Sequence, residues 1–262
     1  MAFLRNQSCP ECATGGGPGG FGLGLVAGLA AAAGALVARK GLAHARAGRG
    51  HPAKHRALDL AAAVMQRKYP LEALSTYLDA FHFYADDLGR QVEAHHFCIH
   101  LAPDMHQCIV FDSNQPGARL IGIEYIITAD RFLRLPEDEK RLWHSHHYEV
   151  KSGQLVAPGI PELAEHAYFA DLVSTYGKTF HTWQVDRHDF PYGIPQLMMG
   201  FTADGQADEA MLRARDRRLG MSWRRKRANR VDIPTPEIIP GANAWERGRS
   251  LQTRLQEVEL KR

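Results

Sequence analysis

Two histidines separated by one residue are the part of the sequence best suited to chemistry. His144 and His146 flank Ser145. On a β-strand, residues i and i+2 point to the same face, so the two imidazoles would project side by side, as a metal ion requires. Imidazole is the commonest transition-metal ligand, and it also transfers protons near neutral pH. We expect Tyr148 and Val150 to share this face and the face to look inward.

A glutamate inside an apolar segment is the second candidate. Glu124 lies within residues 120–127, where most neighbours are aliphatic or aromatic. A carboxylate in such a strand costs free energy to bury unless it is paired, protonated or bound to a metal. We therefore predict that Glu124 is a carboxylate ligand or a general base.

A predicted hairpin identifies the histidine that completes the site. With Ala102–Met105 as its loop, His95 lies on the strand face that we expect to form the core. The sequence thus predicts a divalent transition metal, such as zinc or iron, held by His95, Glu124, His144 and His146. Two alternatives stay open: a buried polar network without a metal, and histidines that face solvent.

The same hairpin register bears on the cysteines. It places Cys98 and Cys108 on opposite faces, so we expect no disulfide between them. Four cysteines do not form a disulfide framework. Cys9 and Cys12 have the spacing of half a zinc site or a redox pair, but no second pair completes a zinc site nearby, and free thiols on a flexible tail are the interpretation we favour.

The elements that must position these residues point to an α+β fold. The predicted strands are rich in β-branched and aromatic residues, and they span residues 94–101, 106–112, 119–127, 144–151, 154–157, 179–186 and 196–201. The predicted helices span residues 57–66, 71–84, 128–142 with a break at Pro136, 161–176 and 207–219. Antiparallel strands clustered between helices predict a β-meander, forming a curved sheet or a small barrel flanked by helices.

The N-terminal part divides by composition. Residues 1–20 are rich in glycine and proline, which predicts a disordered tail, and residues 21–38 form an apolar segment just long enough to span a membrane. A basic linker at 39–55 follows, and it would keep the folded domain at 56–262 on the cytoplasmic side. A cleaved signal ending near residues 43–45 and a soluble alanine-rich tail are the alternatives.

Charge restricts the class of partner. The net charge of +3 is too small to indicate nucleic acid as the main partner. A basic run at 213–230 could contact anionic lipid head groups, and a solvated helix face and loop is the interpretation we favour for it.

Several long segments resemble the oil-body-associated proteins, a family of plant seed lipid-droplet proteins with bacterial and fungal relatives. The segments are Arg90–Cys98, Arg119–Ile127, Leu142–His146, Tyr148–Gly153, Tyr176–Thr179, His181–Arg187 and Pro195–Met199. The resemblance implies association with lipid droplets, but no assigned activity and no catalytic residues.

The combined expectation is a domain acting at a lipid or membrane surface. Residues 21–38 are not part of the family pattern, so the cytoplasmic face of a bacterial membrane is as good a destination as a lipid body. A soluble cytoplasmic protein is the other option. The rival function is a metal-dependent enzyme with a His/Glu site in the β-sheet domain, and a homo-oligomer stays open.

Overall fold

The computed structural model of the protein describes residue 50 and residues 52–261. The predicted tail at 1–20, the apolar segment at 21–38 and the Cys9–Cys12 pair lie outside the described residues. The chain divides into two compact units at residues 67 and 68. In the described part of the first unit, helix α1 spans Ala53–Met65. Among the described residues, no helix is both long enough and apolar enough to cross a membrane.

The second unit contains the sheet and the remaining helices. Its strands are β1 Thr76–Tyr84, β2 Asp87–Ala102, β3 Met105–Phe111, β4 Leu120–Ile127, β5 His144–Ser145, β6 Tyr176–His181 and β7 Gln196–Met199. Its helices are α2 Tyr69–Glu72, α3 Ala129–Leu133, α4 Glu137–Lys140, α5 His147–Ser152, α6 Glu162–Leu172, α7 Glu209–Leu219 and α8 Trp223–Ala228, followed by a 3-10 helix at Ala244–Arg247.

Six strands close on themselves. The order is β4-β3-β2-β1-β7-β6, and β6 pairs back onto β4, while the short β5 adds to the edge of β6. All pairs between named strands are antiparallel. The predicted α+β fold with a small antiparallel barrel flanked by helices is therefore confirmed.

The predicted helix at 71–84 is wrong beyond its first residues. Strand β1 occupies Thr76–Tyr84, and both of its faces are buried. The outward Phe81 and Phe83 pack with Phe201 and Leu212. A strand covered on both sides loses the alternation of polar and apolar residues that would reveal it in the sequence.

The predicted hairpin at 144–157 is also wrong. After the two residues of β5 the chain turns into helix α5, which ends at Gly153 with φ +77°. A glycine in this left-handed conformation is a common helix C-cap, and here it is not a hairpin turn. Tyr148 and Val150 therefore lie on a helix, and they do not share a strand face with His144.

The predicted register of the β2–β3 hairpin is off by one residue. Its tight turn pairs Ala102 with Met105, and a bulge at Leu101 brings His100 opposite His106 and Cys98 opposite Cys108. One inserted residue reverses which face every earlier residue occupies. The expected absence of a disulfide is wrong for the same reason, since Cys98 and Cys108 are bonded, with Cα atoms 4.1 Å apart.

The disulfide gives a direct prediction. Its cysteines are separated by 10 residues, so replacing both Cys98 and Cys108 with alanine should lower the free energy of unfolding by about 2–3 kcal/mol. Chemical denaturation measures this loss. Peptide mapping after alkylation of the denatured, unreduced protein should leave both residues unlabelled, whereas full labelling would contradict the bond.

Candidate functional site

Glu124 of β4 points into the barrel and is surrounded by imidazoles. Its Oε2 lies 2.7 Å from His96 Nε2 and 3.8 Å from His82 Nε2. Its Oε1 lies 3.2 Å from His146 Nε2 and 3.6 Å from His144 Nε2. Each carboxylate oxygen therefore has its own pair of histidines.

A second carboxylate approaches the same histidines from helix α5. Glu149 Oε2 lies 3.8 Å from His144 Nε2 and 3.9 Å from His146 Nε2. His146 immediately precedes α5, and residues three apart share a helix face, so His146 and Glu149 point to the same place. Asn243 holds the backbone of β5 between the two histidines, through its Oδ1, which accepts from the Ser145 amide at 2.9 Å.

The orientation of His146 is fixed from behind. The Thr175 hydroxyl donates its one proton to the carbonyl of Leu172 at 2.7 Å, so it accepts from His146 Nδ1 at 2.7 Å. A neutral His146 that carries its proton on Nδ1 presents a lone pair at Nε2. This lone pair faces the Glu124 oxygen, and the two repel unless a proton or another cation lies between them.

Several buried polar atoms around Glu124 have no hydrogen-bond partner. Both ring nitrogens of His144 and of His96 are in this state, as is Nδ1 of His181. The contact between His96 Nε2 and Glu124 Oε2, at 2.7 Å, is within ion-pair distance. An unsatisfied buried donor or acceptor costs about 1–3 kcal/mol, so a concentration of such atoms calls for a ligand or a functional reason.

Two glycines make room for these side chains. A Cβ atom at Gly177 would overlap Glu124 Oε1 and come within 2.8 Å of His144 Nε2. A Cβ at Gly200 would lie 2.8 Å from Glu149 Cδ and 2.9 Å from His144 Cδ2. The absence of a side chain at Gly177 and Gly200 thus leaves the space that Glu124, His144 and Glu149 occupy.

The pKa values of the two carboxylates are shifted in opposite directions. Burial alone would raise the pKa of Glu124, but the imidazoles of His96 and His146 outweigh it and hold that pKa well below its ordinary value. Burial, and then repulsion from Glu124, raises the pKa of Glu149 well above its ordinary value. Burial lowers the pKa of His144 to about 3 and that of His181 to about 3. Near neutral pH these two histidines are therefore neutral and can offer lone pairs.

A small cavity lies among these groups. Its volume is about 10 Å³, which is the space of about one water-sized sphere. Its polar lining comes from His82, His96, Glu124, His146 and Glu149. The cavity has room for one ion or one water, and none for an organic substrate.

His95 does not belong to this cluster, and the expectation that it joins Glu124 is wrong. His96 points inward instead, because Phe97 and Ile99, which share the face of His95, lie on the outer side of the strand. His95 Nδ1 lies 2.8 Å from the Tyr77 hydroxyl and 3.5 Å from Asp79 Oδ2. It forms a second acidic group with Asp79 and Glu93.

The second group differs from the first in its counter-charges. Arg215 Nη1 lies 3.4 Å from Asp79 Oδ1, and Arg218 contacts both Asp79 and Glu93. Within the described part of the chain, the ion pairs of Glu124 and Glu149 come only from histidines. The two arginines offset the negative charge of Asp79 and Glu93. Glu124 and Glu149 have no arginine or lysine partner among the described residues, so a bound cation would offset their charge.

The structure therefore brings together His144, His146 and Glu124 as predicted from the sequence, and it adds His82, His96, His181 and Glu149. His82 was missed because β1 resembled a helix. Glu149 was missed because α5 resembled a strand.

An apolar surface lies on the outside of the same strands. The outer apolar face consists of Phe97, Ile109, Phe111, Leu120 and Ile123. Phe97 pairs with Ile109, which pairs with Ile123, and Phe111 pairs with Leu120. Leu120 is 50% exposed and Ile123 is 38% exposed. A groove of about 330 Å³ runs between this face and Leu71 and Leu74.

Comparison with known proteins gives one consistent result. A family model described as a protein of unknown function (DUF1264) matches residues 68–234. Oil body-associated protein 1A of Zea mays is 48% identical over 206 residues, which cover 78% of this chain and 86% of that protein. Oil body-associated protein 1B of Arabidopsis thaliana is 44% identical over 207 residues, with 78% and 85% covered.

A more distant relative extends the match. Oil body-associated protein 2A of Arabidopsis thaliana is 36% identical over 234 residues, with 87% of this chain and 95% of that protein covered. No solved structure matches the chain. The resemblance seen in the sequence is confirmed, and the chain belongs to the oil body-associated protein family, whose shared domain is one of unknown function.

Proposed function

We propose that this domain acts at the surface of a lipid body or membrane, which it contacts through the outer apolar face. The observation that carries the proposal is the row of aliphatic and aromatic side chains across β2, β3 and β4, half-buried at Phe97, Ile109 and Phe111 and exposed at Leu120 and Ile123. Its relatives are named oil body-associated proteins, and these names support contact with the same kind of surface.

The physical basis is partial insertion. Apolar side chains gain free energy when they enter the boundary between head groups and acyl chains, in proportion to the apolar area removed from water. Leu120 and Ile123 project from the face, and the groove beside Phe97, Ile109 and Phe111 has walls suited to an acyl chain. Contiguous exposed apolar surface of this kind is typical of interaction sites.

Flotation tests the proposal. The full chain should float with triacylglycerol droplets coated with phosphatidylcholine. Replacing Leu120 and Ile123 together with aspartate should reduce the bound fraction at least about tenfold, because two apolar contacts are lost and two charges must be desolvated. Leu163→Asp is the matched control, since Leu163 is 86% exposed on α6, away from this face. Equal flotation of the double variant and the control would refute the assigned face.

Removal of the N-terminal segment is a separate test of membrane contact. Residues 21–38 carry no charge and are followed by basic residues, so removing residues 1–40 is expected to release the protein from a membrane fraction without unfolding it. If full-length and truncated proteins fractionate alike, the anchor is wrong. If truncation releases the protein and the Leu120/Ile123 variant does not, the segment and not the outer face makes the contact.

A metal-dependent reaction inside the barrel is the second candidate function. It is favoured by the concentration of imidazoles around Glu124 and Glu149. It requires that the cluster hold an ion, which can be tested apart from any reaction.

A further inference from the structure

We propose that the barrel binds one divalent transition-metal ion between Glu124, Glu149, His144 and His146. This inference does not depend on contact with a lipid surface, and it is the condition for the second candidate function. It differs from the site expected from the sequence, because Glu149 replaces His95.

Each glutamate oxygen lies near both histidine nitrogens, at separations close to those of a coordination shell. The distances from Glu124 Oε1 to Nε2 of His146 and His144 are 3.2 and 3.6 Å. The distances from Glu149 Oε2 to the same nitrogens are 3.8 and 3.9 Å. Atoms bound about 2.0–2.2 Å from a tetrahedral ion lie roughly 3.3–3.6 Å from one another, so a small contraction would complete the shell.

The orientation of these atoms also fits an ion. The Thr175 hydroxyl accepts from His146 Nδ1, so Nε2, which lies 3.2 Å from Glu124 Oε1, is the ring nitrogen directed at the cluster. His144 is fully buried, and neither of its nitrogens has a hydrogen-bond partner. On the far side, His96 and His82 approach the other oxygen of Glu124. A ligand fixed by a second partner in this way is typical of metal sites.

The charge of the cluster points to a cation and not to a polar network alone. Two glutamates converge there, and their ion-pair neighbours in the described part of the chain are histidines. The group of Asp79, Glu93 and His95 has similar residue types but is balanced by Arg215 and Arg218. Of these two groups, the one around Glu124 and Glu149 has no arginine or lysine partner among the described residues.

The donors indicate the class of metal. Two imidazole nitrogens with two carboxylate oxygens suit Zn²⁺, Fe²⁺ or Mn²⁺, whereas calcium and magnesium take oxygen ligands. The small cavity has room for a single ion, and three of the four proposed ligands, Glu124, His146 and Glu149, line it.

A larger pocket lies beside His146. Its volume is about 300 Å³, it is lined by His100, His106 and Tyr168, and it shares Leu172 with the small cavity. Thr175, which accepts a hydrogen bond from His146, also lines this pocket.

The test is a titration of the full chain, freed of metal by a chelator, with Zn²⁺ and separately with Co²⁺. We expect one ion per chain, visible absorption bands from bound Co²⁺, and a rise in Tm of about 5–10 °C when Zn²⁺ is in hundredfold excess over its Kd. His144→Gln and His146→Gln should each weaken binding at least about a hundredfold, and Thr175→Val about tenfold, as expected for a residue that orients a ligand.

The matched control is His95→Gln, which alters the arginine-balanced group and should bind like the wild type. Thermal unfolding without metal identifies any variant that fails to fold, and Thr175→Val supplies an independent readout that leaves all four ligands in place. Absence of binding by the folded wild type would overturn the proposal. Unchanged affinity in folded His144→Gln or His146→Gln, or a loss confined to His95→Gln, would overturn it as well.

Discussion

Replacing Gly177 with alanine should destabilise the barrel by about 3 kcal/mol or more, at the upper end of the usual cost of overpacking a core. A Cβ at this position would overlap Glu124 Oε1 and lie 2.8 Å from both Cε1 and Nε2 of His144. Both side chains are buried, with Glu124 2% exposed and His144 fully covered, so neither can move away without displacing the cluster. Chemical denaturation measures the loss.

Gly89→Ala is the control for this substitution. Gly89 also lies in a strand, but the nearest atom to an added Cβ is Asp87 Oδ1, at 3.3 Å, on an exposed side chain. Its effect should stay below about 1 kcal/mol, the usual cost of a surface change. Similar effects of the two substitutions would mean that the barrel interior tolerates displacement of Glu124 and His144. That outcome would contradict the tight packing of these side chains against Gly177.

Arg230→Met should cost about 3–5 kcal/mol, as expected when one member of a buried ion pair is removed. Arg230 is 2% exposed, and its Nη1 donates to the carbonyls of Val150 at 2.9 Å and Leu155 at 2.8 Å. Its other amino group lies 3.4 Å from Glu165. Because Val150 belongs to α5, this arginine also fixes the helix that carries Glu149. Denaturation and the affinity for Zn²⁺ should therefore change together.

Arg224→Met is the comparison for an exposed arginine. Arg224 pairs with Glu209 at 3.2 Å, and both side chains are more than half exposed, so the loss should be below about 1 kcal/mol. Equal losses would contradict a structural role for Arg230. The interpretation of the run at 213–230 as a solvated face is wrong for Arg215 and Arg230, since both are buried.

The sequence was sufficient for the fold class because of strong local patterns. The segments at β2, β3 and β4 are rich in β-branched and aromatic residues and are separated by turn residues, so their existence could be predicted. Strand β1 could not, because its two covered faces remove the alternation. Closure of the barrel depends on pairing of β6 with β4 and of β7 with β1, which no local pattern specifies.

The site was predictable in its residue types and not in its geometry. Glu124 was identified because a carboxylate in an apolar strand needs a partner. His144 and His146 do converge with it, but through a strand end and the start of a helix, and not through one strand face. The choice between His95 and His96 was wrong because the apolar Phe97 and Ile99, which share the face of His95, were expected in the core but lie on the outer side of β2.

Anomalous diffraction from crystals of the full chain grown with Zn²⁺ tests the central claim most directly. The account predicts one strong peak inside the barrel, about 2.0–2.2 Å from Nε2 of His144 and His146 and from a carboxylate oxygen of Glu124 and Glu149. A barrel interior with no peak, or a peak at Asp79, Glu93 and His95 instead, would contradict it.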